Sequence, residues 1–249
     1  MPYNSLKDLV QAGVKWELDD VAFINSDNTQ KSTSKSNETP ASPTSSVVPP
    51  IAPVQTIPLD TVKSMAMRPT DIKSLLRMIG EFNHPLRGSA TNTVLPHIGQ
   101  GRVLVLTDIP SSDDDARGEI MSGAHGDLLD KMIGAIGLTR DMVSISPMLF
   151  WRTPGGRTPT QQEIDLSRPF VDKIIELLNP RVILTLGTLP ATEIAGINLA
   201  KSHGEILDSQ NGIKIIPIFH PNYLTLKPAA KKDAWVALQK VQNILKNAE

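Results

Sequence analysis

A chain of 249 residues, 40% hydrophobic and 20% charged, has room for one sizeable domain or two small ones and matches a soluble globular composition. Its formal net charge of −1 excludes a generally basic protein that coats nucleic acid, although a local basic groove stays open. The absence of cysteine excludes disulfides, thiolate metal sites and iron–sulfur clusters held by thiolates.

The N-terminus, MPYNSLKDLVQAG, lacks a basic stretch followed by an apolar core, and no apolar run reaches the length of a membrane span. The chain therefore reads as soluble and cytoplasmic, with no membrane partner. Residues 1–25 read as an N-terminal helical segment, with a short helical pattern expected over 5–25 and broken at Gly13. Residues 26–58 are rich in Ser, Thr, Asn and Pro. Such a stretch cannot bury enough apolar surface to offset its ordering entropy, so it reads as a disordered linker acting as a tether.

A folded region over 59–249 follows. TDIKSLLRMIGEF (70–82) places Ile72, Leu75, Leu76, Met78 and Ile79 at helical spacing, with Thr70 as N-cap. RVLVLT (102–107) predicts a buried strand, GDLLDKMIGAIGL a helix, and MVSISPML (142–149) a second strand. PTQQEIDLSRPFVDKIIELL predicts a long helix with Pro159 near its first turn, RVILTLG a third strand, GIKIIPIF a fourth, and PAAKKDAWVALQKVQNILK a closing amphipathic helix. Short apolar strands alternating with helices predict an α/β fold, a three-layer αβα arrangement around a four-stranded parallel sheet. Function is then sought in the loops at the strand C-termini. These loops are TDIPSSDDDARG, FWRTPGGRTPT, GTLPATE and HPNYLTLKP.

His220 ends the fourth strand. Pro221 after it would suffice to end a strand and leave a surface-turn histidine; the strand end equally suits a hydrogen-bond donor aimed at a ligand. His97, His125 and His203 show no metal-ligand spacing with carboxylates and read as structural; no metal site is expected. The run Asp113 to Asp115 reads as a solvated helix start.

Read in order, the segments VQAGVKWEL, HPLRGSATNTVL, GDLLDKMIGAIGL, WRTPGGRTPTQQEI, RPFVDKIIELLNPRVILTLG, FHPNYL and PAAKKDAW resemble the uracil-DNA glycosylase superfamily, family 4, in the version found in many alphaproteobacteria. The resemblance spans nearly everything outside the linker, so 59–249 is expected to be a uracil-DNA glycosylase-like domain. It implies an enzyme that flips uracil out of DNA and hydrolyses the bond between base and deoxyribose. It also implies that His220 donates to a uracil carbonyl oxygen and that Leu224 wedges into the vacated stack. Asp108 falls on the acidic position of a motif resembling GEAPG, which here reads TDIPS, with Thr107 and Ser111 in place of its glycines. Ile109, Pro110, Met121 and Pro147 fall on the base pocket. Met121 stands where the family has an aromatic ring that stacks on uracil, and Pro147 where it has an asparagine that reads the base edge. The family's four cluster cysteines match Glu81, His84, Trp151 and Ser167, so no iron–sulfur cluster and no other cofactor is expected.

Arg152, Arg157, Asn222, Tyr223, Leu224 and Lys227 are the expected DNA contacts, with Lys231 and Lys232 beside them. DNA carrying a damaged base, single- or double-stranded, is the expected partner, a replication or repair protein could engage the linker, and a monomer is expected. Two readings stand: a DNA-repair glycosylase with Asp108 and His220 as catalytic pair, or a degenerate glycosylase fold that binds DNA or a protein without base excision. An unrelated nucleotide-binding α/β domain is disfavoured, since no glycine-rich phosphate loop follows the first strand.

Overall fold

In the computed structural model, residues 57–247 are described. The segment 1–25 and nearly all of the linker lie outside them. The strands are β1 (Val103–Thr107), β2 (Val143–Pro147), β3 (Val182–Leu186), β4 (Leu207–Asp208) and β5 (Lys214–Ile218). The helices are α1 (Leu59–Ala66), α2 (Ile72–Glu81), α3 (Ser112–Arg117), α4 (Gly123–Gly134), α5 (Gln161–Leu178), α6 (Thr188–Ala195), α7 (Leu199–Ser202), α8 (Pro221–Leu226) and α9 (Lys231–Lys246).

The sheet order is β2-β1-β3-β5-β4. The four expected strands are present and mutually parallel. A fifth, β4, pairs antiparallel with β5 through two residues only, too few to leave a readable alternation in sequence. Every residue of β1, β2 and β3 is buried, as parallel strands covered on both faces must be.

Alternate side chains divide between two cores. Val103, Val105, Val143, Ile145, Val182, Leu184, Ile216 and Ile218 pack with residues of α4, α8 and α9. Leu104, Leu106, Ile183 and Ile215 pack with residues of α1, α2 and α5. Each such aliphatic side chain contributes about 1.5–3 kcal/mol on full burial. The result is the αβα layering expected from sequence.

Three helix starts differ in detail from expectation. Asp71, not Thr70, caps α2, accepting from the Ser74 N–H at 2.9 Å. Helix α5 begins at Gln161, two residues into the expected segment, with Thr160 as cap in a reciprocal box with Glu163 and Pro159 just before it, near the first turn as expected. Helix α4 begins at Gly123, three residues ahead of the apolar pattern. The backbone at Gly123 has φ +62° and lies against the Asp113 carboxylate, so a glycine is required there.

Of the acidic run, Asp113 is exposed as expected but Asp114 and Asp115 are buried. Asp114 is 3% exposed; it accepts from the Ser111 N–H at 2.9 Å and from the Ser122 N–H and hydroxyl at 2.6 and 2.9 Å. Asp115 accepts from the Thr91 and Asn92 N–H groups at 2.9 and 3.1 Å. These carboxylates tie α3 to the loops on either side. No helix among the described residues is long and apolar enough to cross a membrane.

Candidate active site

In an open parallel sheet, ligands bind where the chain reverses its direction of travel across the strands, beyond the strand C-termini. Here the chain moves from β1 outward to β2 and then returns to place β3 on the other side of β1. The register aligns Thr107 with Leu186 and Leu186 with Ile218. Asp108, Gly187, Phe219 and His220 are therefore the first residues beyond the sheet edge. They share a cavity of about 390 Å³ with Thr188, Leu199, Ala200, Asn222, Tyr223 and Leu226, within the usual range for a small-molecule site. A larger hollow of about 720 Å³ is lined by Ile57 and by residues of α1, α2 and the turns that follow them. Neither it nor a hollow of about 470 Å³ between α1 and α5 holds a residue from a strand end, so the cavity of Asp108 and His220 is the candidate site.

Asp108 folds across Gly187 toward the start of α6, where its Oδ1 accepts from the Leu189 N–H at 3.0 Å. A Cβ on Gly187 would stand 2.1 Å from the carboxylate, and φ at Gly187 is +105°; only glycine leaves room for this placement. Burial pushes the Asp108 carboxyl up to about 6, against the opposing pull of the Leu189 N–H.

His220 caps α8. Its Nδ1 accepts from the Asn222 N–H at 3.2 Å, so the ring proton resides on Nε2. That Nε2–H donates to Thr107 Oγ at 3.1 Å. Burial, assisted by His125 and opposed by Asp114, lowers the His220 pKa to about 4, which keeps the ring neutral at physiological pH. The site therefore combines a desolvated carboxyl with a neutral imidazole whose single donor is defined by the backbone. Such a pair suits a reaction that builds negative charge on one fragment and positive charge on the other.

Asp108 and His220 thus meet in one cavity, as expected. The four residues assigned to the base pocket do not line it. Met121 is 3% exposed and packed in the core with a φ of +51°. Pro147 pairs with Thr107 at the end of β2. Ile109 packs against the opposite core, and the Pro110 carbonyl accepts from Arg152 at 3.2 Å.

Leu224 is 1% exposed and belongs to the core, so it cannot wedge into DNA without leaving that core. The exposed apolar side chain on the cavity rim is Leu226, at 65%. Arg157 is engaged by both oxygens of Glu163, at 2.6 and 2.9 Å, which places it as the partner of the α5 cap. Asn222, Tyr223 and Lys227 remain exposed on or beside the cavity wall.

Three site residues escaped the sequence reading. Thr107 is the hydrogen-bond partner of His220 and Gly187 the floor beneath Asp108. His125, read as structural, sets its ring edge-on to His220 with centroids 5.7 Å apart. The GTLPATE loop pointed toward Gly187, but the pairings of residues 107 and 125 with 220 are long-range and carry no local signal.

Three of the four positions matched to cluster cysteines, His84, Trp151 and Ser167, also come together, while Glu81 is exposed. His84 and Trp151 stack with centroids 4.7 Å apart and planes 9° apart, and Ser167 Oγ lies 3.4 Å from His84 Nε2. Phe82, Phe150 and Phe170 pack around them. These residues do not fit an iron–sulfur cluster, since none offers a thiolate and aromatic rings fill the volume.

Comparison with known proteins agrees with this geometry. The family model described as the Uracil DNA glycosylase superfamily matches residues 96–240, more than half of the chain and inclusive of both Asp108 and His220. The chain belongs to that superfamily. It is 32% identical over 147 residues to the Type-4 uracil-DNA glycosylase of Thermotoga maritima, covering 56% of this chain and 75% of that protein. It is 28% identical over 159 residues to the Type-4 uracil-DNA glycosylase of Archaeoglobus fulgidus, covering 59% and 79%. A third relative, the Type-4 uracil-DNA glycosylase of Sulfurisphaera tokodaii, is 27% identical over 144 residues, covering 53% and 65%.

Proposed function

We propose that this superfamily member is a DNA-repair glycosylase that draws uracil, or a related deaminated base, out of DNA and hydrolyses its N-glycosidic bond. The observation that carries the reading is the joint placement of Asp108 and His220 in one cavity at the topological switch. As the bond between the base nitrogen and the sugar C1′ breaks, its electron pair passes to the base. The His220 Nε2–H stabilises the charge that collects on the base carbonyl oxygen. The Asp108 carboxylate faces the cationic sugar and receives the proton of the water that adds to C1′.

To reach His220, the base must displace the Thr107 hydroxyl from Nε2. Leu226 on the cavity rim enters the vacated stack, and Lys227 beside it meets a phosphate. The enzyme works without an iron–sulfur cluster, the His84–Trp151 stack filling that region instead.

A second reading, DNA or protein binding without excision, draws support from the Thr107–His220 bond and the buried Met121. One assay separates the two. Single- and double-stranded oligonucleotides carrying uracil, hypoxanthine or xanthine are incubated with the protein and abasic sites scored by alkaline cleavage. The glycosylase reading expects excision of at least one base, reduced about 100-fold or more in His220→Ala. DNA binding with no cleavage of any substrate establishes the second reading.

A further inference from the structure

The neutral His220 ring has one proton to give, and in the free protein that proton is already committed. Its Nδ1 accepts from the Asn222 N–H at 3.2 Å, and its Nε2–H donates to the Thr107 hydroxyl at 3.1 Å. His220 lines the cavity and Thr107 does not, so the bond runs from a cavity residue back to the buried end of β1.

Thr107 is 1% exposed. Its Cα pairs with Pro147 on one side and with Leu186 on the other, and its carbonyl accepts from the Met148 N–H at 2.9 Å. The hydroxyl is therefore carried by backbone that is fixed on both sides. Any other oxygen that takes the Nε2–H must break this bond and leave the Thr107 hydroxyl buried without it. A buried polar group left unpaired costs about 1–3 kcal/mol.

The outcome of that exchange depends on the charge of the incoming oxygen. A neutral carbonyl oxygen replaces one neutral bond by another and gains little. An oxygen that carries negative charge gains a charge-assisted bond, roughly twice as strong as a neutral one. The hydroxyl is thus displaced as charge collects on a departing base, and it recovers the Nε2–H once that base has taken up a proton from solvent.

We infer that Thr107 is a positioning residue that competes for the His220 donor, weakening the hold of the site on neutral bases, both the flipped base before cleavage and the free base after it. This inference rests on the glycosylase reading for its substrate.

The test compares Thr107→Val, which keeps the shape and removes the hydroxyl, with Thr107→Ser, which keeps the hydroxyl. Single-turnover excision from single-stranded DNA carrying uracil is followed across enzyme concentration, with free uracil as inhibitor. Thr107→Val is expected to lower both the half-saturating concentration and the inhibition constant of free uracil about 10-fold, without lowering the saturating rate. Thr107→Ser is expected to stay close to the parent in both constants. A threonine with a merely structural role would give a slower or less stable variant with neither constant tightened. Thr107→Ala repeats the measurement should the valine variant fail to fold. Constants unchanged or weakened in the variants without the hydroxyl overturn the inference, while excision by the parent keeps the glycosylase reading intact.

Excision by Thr107→Val with an inactive parent supports both readings. If neither protein excises, the glycosylase reading fails, and binding of free uracil to the full chain, followed through the His220 ring resonances by NMR, decides the inference. Tighter binding to Thr107→Val than to the parent supports it; equal binding, or none to either, overturns it.

Discussion

Asp108 and His220 are held in surroundings that push each toward its neutral form, and the consequences are opposite in sign. Asp108 gains its proton in the folded protein at about 6 instead of 3.8. His220 gives up its proton until about 4 instead of 6.5. In the proposed reaction the carboxylate is the form that assists the cationic sugar, so excision is expected to rise with pH through a midpoint near 6. The limb belongs to Asp108, because His220 is already neutral there. A pH–rate profile checks this: Asp108→Asn is expected to be slow and to lack the limb, whereas assignment to His220 would leave the limb in place.

The same shifts bear on stability. Between 6.5 and about 4 the unfolded chain binds a proton at residue 220 that the fold refuses, so acidification destabilises through His220. Between about 6 and 3.8 the fold binds a proton at Asp108 before the unfolded chain does, and acidification stabilises through that group. Glu163, held down to about 2 chiefly by Arg157, adds stability that is lost as pH falls from 4.5 toward 2.

At the scale of elements, α8 decides which leucine is available to DNA. Pro221 and Leu224 lie on its buried side, because residues three or four apart share a helix face. Leu226 falls two positions further, on the exposed side. Leu226→Ala is therefore expected to slow excision from double-stranded DNA by about tenfold while sparing single-stranded DNA, where no stack has to be filled; paired rate measurements on the two substrates check it. Loss on both substrates alike would assign Leu226 to the cavity wall alone.

Element-level reading from sequence succeeded where the pattern was local. The β1, β2, β3 and β5 strands are apolar runs, whereas the Thr160 and Glu163 cap of α5 went unread although both residues are local. It failed at Asp114 and Asp115, whose acidity suggests solvent. Their backbone donors come from residues 91, 92, 111 and 122, two of them distant in sequence.

At the scale of the whole molecule, the second core is closed by rings. Trp151 is 0% and His84 1% exposed. The Trp151 Nε1–H donates to Thr93 Oγ at 2.9 Å. His84 Nδ1 accepts from the Leu86 N–H at 3.1 Å, and its Nε2 lies 3.1 Å from the Glu163 carbonyl. The stack thus joins the loop after α2, the loop after β2 and the start of α5. Trp151→Ala is expected to cost about 3–5 kcal/mol, the usual penalty for emptying so large a buried side chain. Thermal unfolding checks it, and the parent protein's melting temperature should not change with chelator or reductant. A melting temperature lowered by chelator would overturn the cluster-free account.

What the sequence by itself determined is the layered α/β fold, the loops that carry function, and the candidacy of Asp108 and His220. The fold and its loops follow from hydrophobic period and His220 from its place at a strand end, both written within a few residues, whereas Asp108 follows from the resemblance of TDIPS to the family's motif. What only the tertiary structure decided is that the His220 ring faces the Thr107 hydroxyl, that Leu226 and not Leu224 is exposed, and that Asn222 and Tyr223 line the cavity of Asp108 and His220 while Pro147 and Met121 are buried away from it. Those outcomes depend on the strand order, which sets β1 beside β3 and β3 beside β5. Hydrogen bonds and burial then follow between residues more than a hundred positions apart, for which no local pattern in the chain exists.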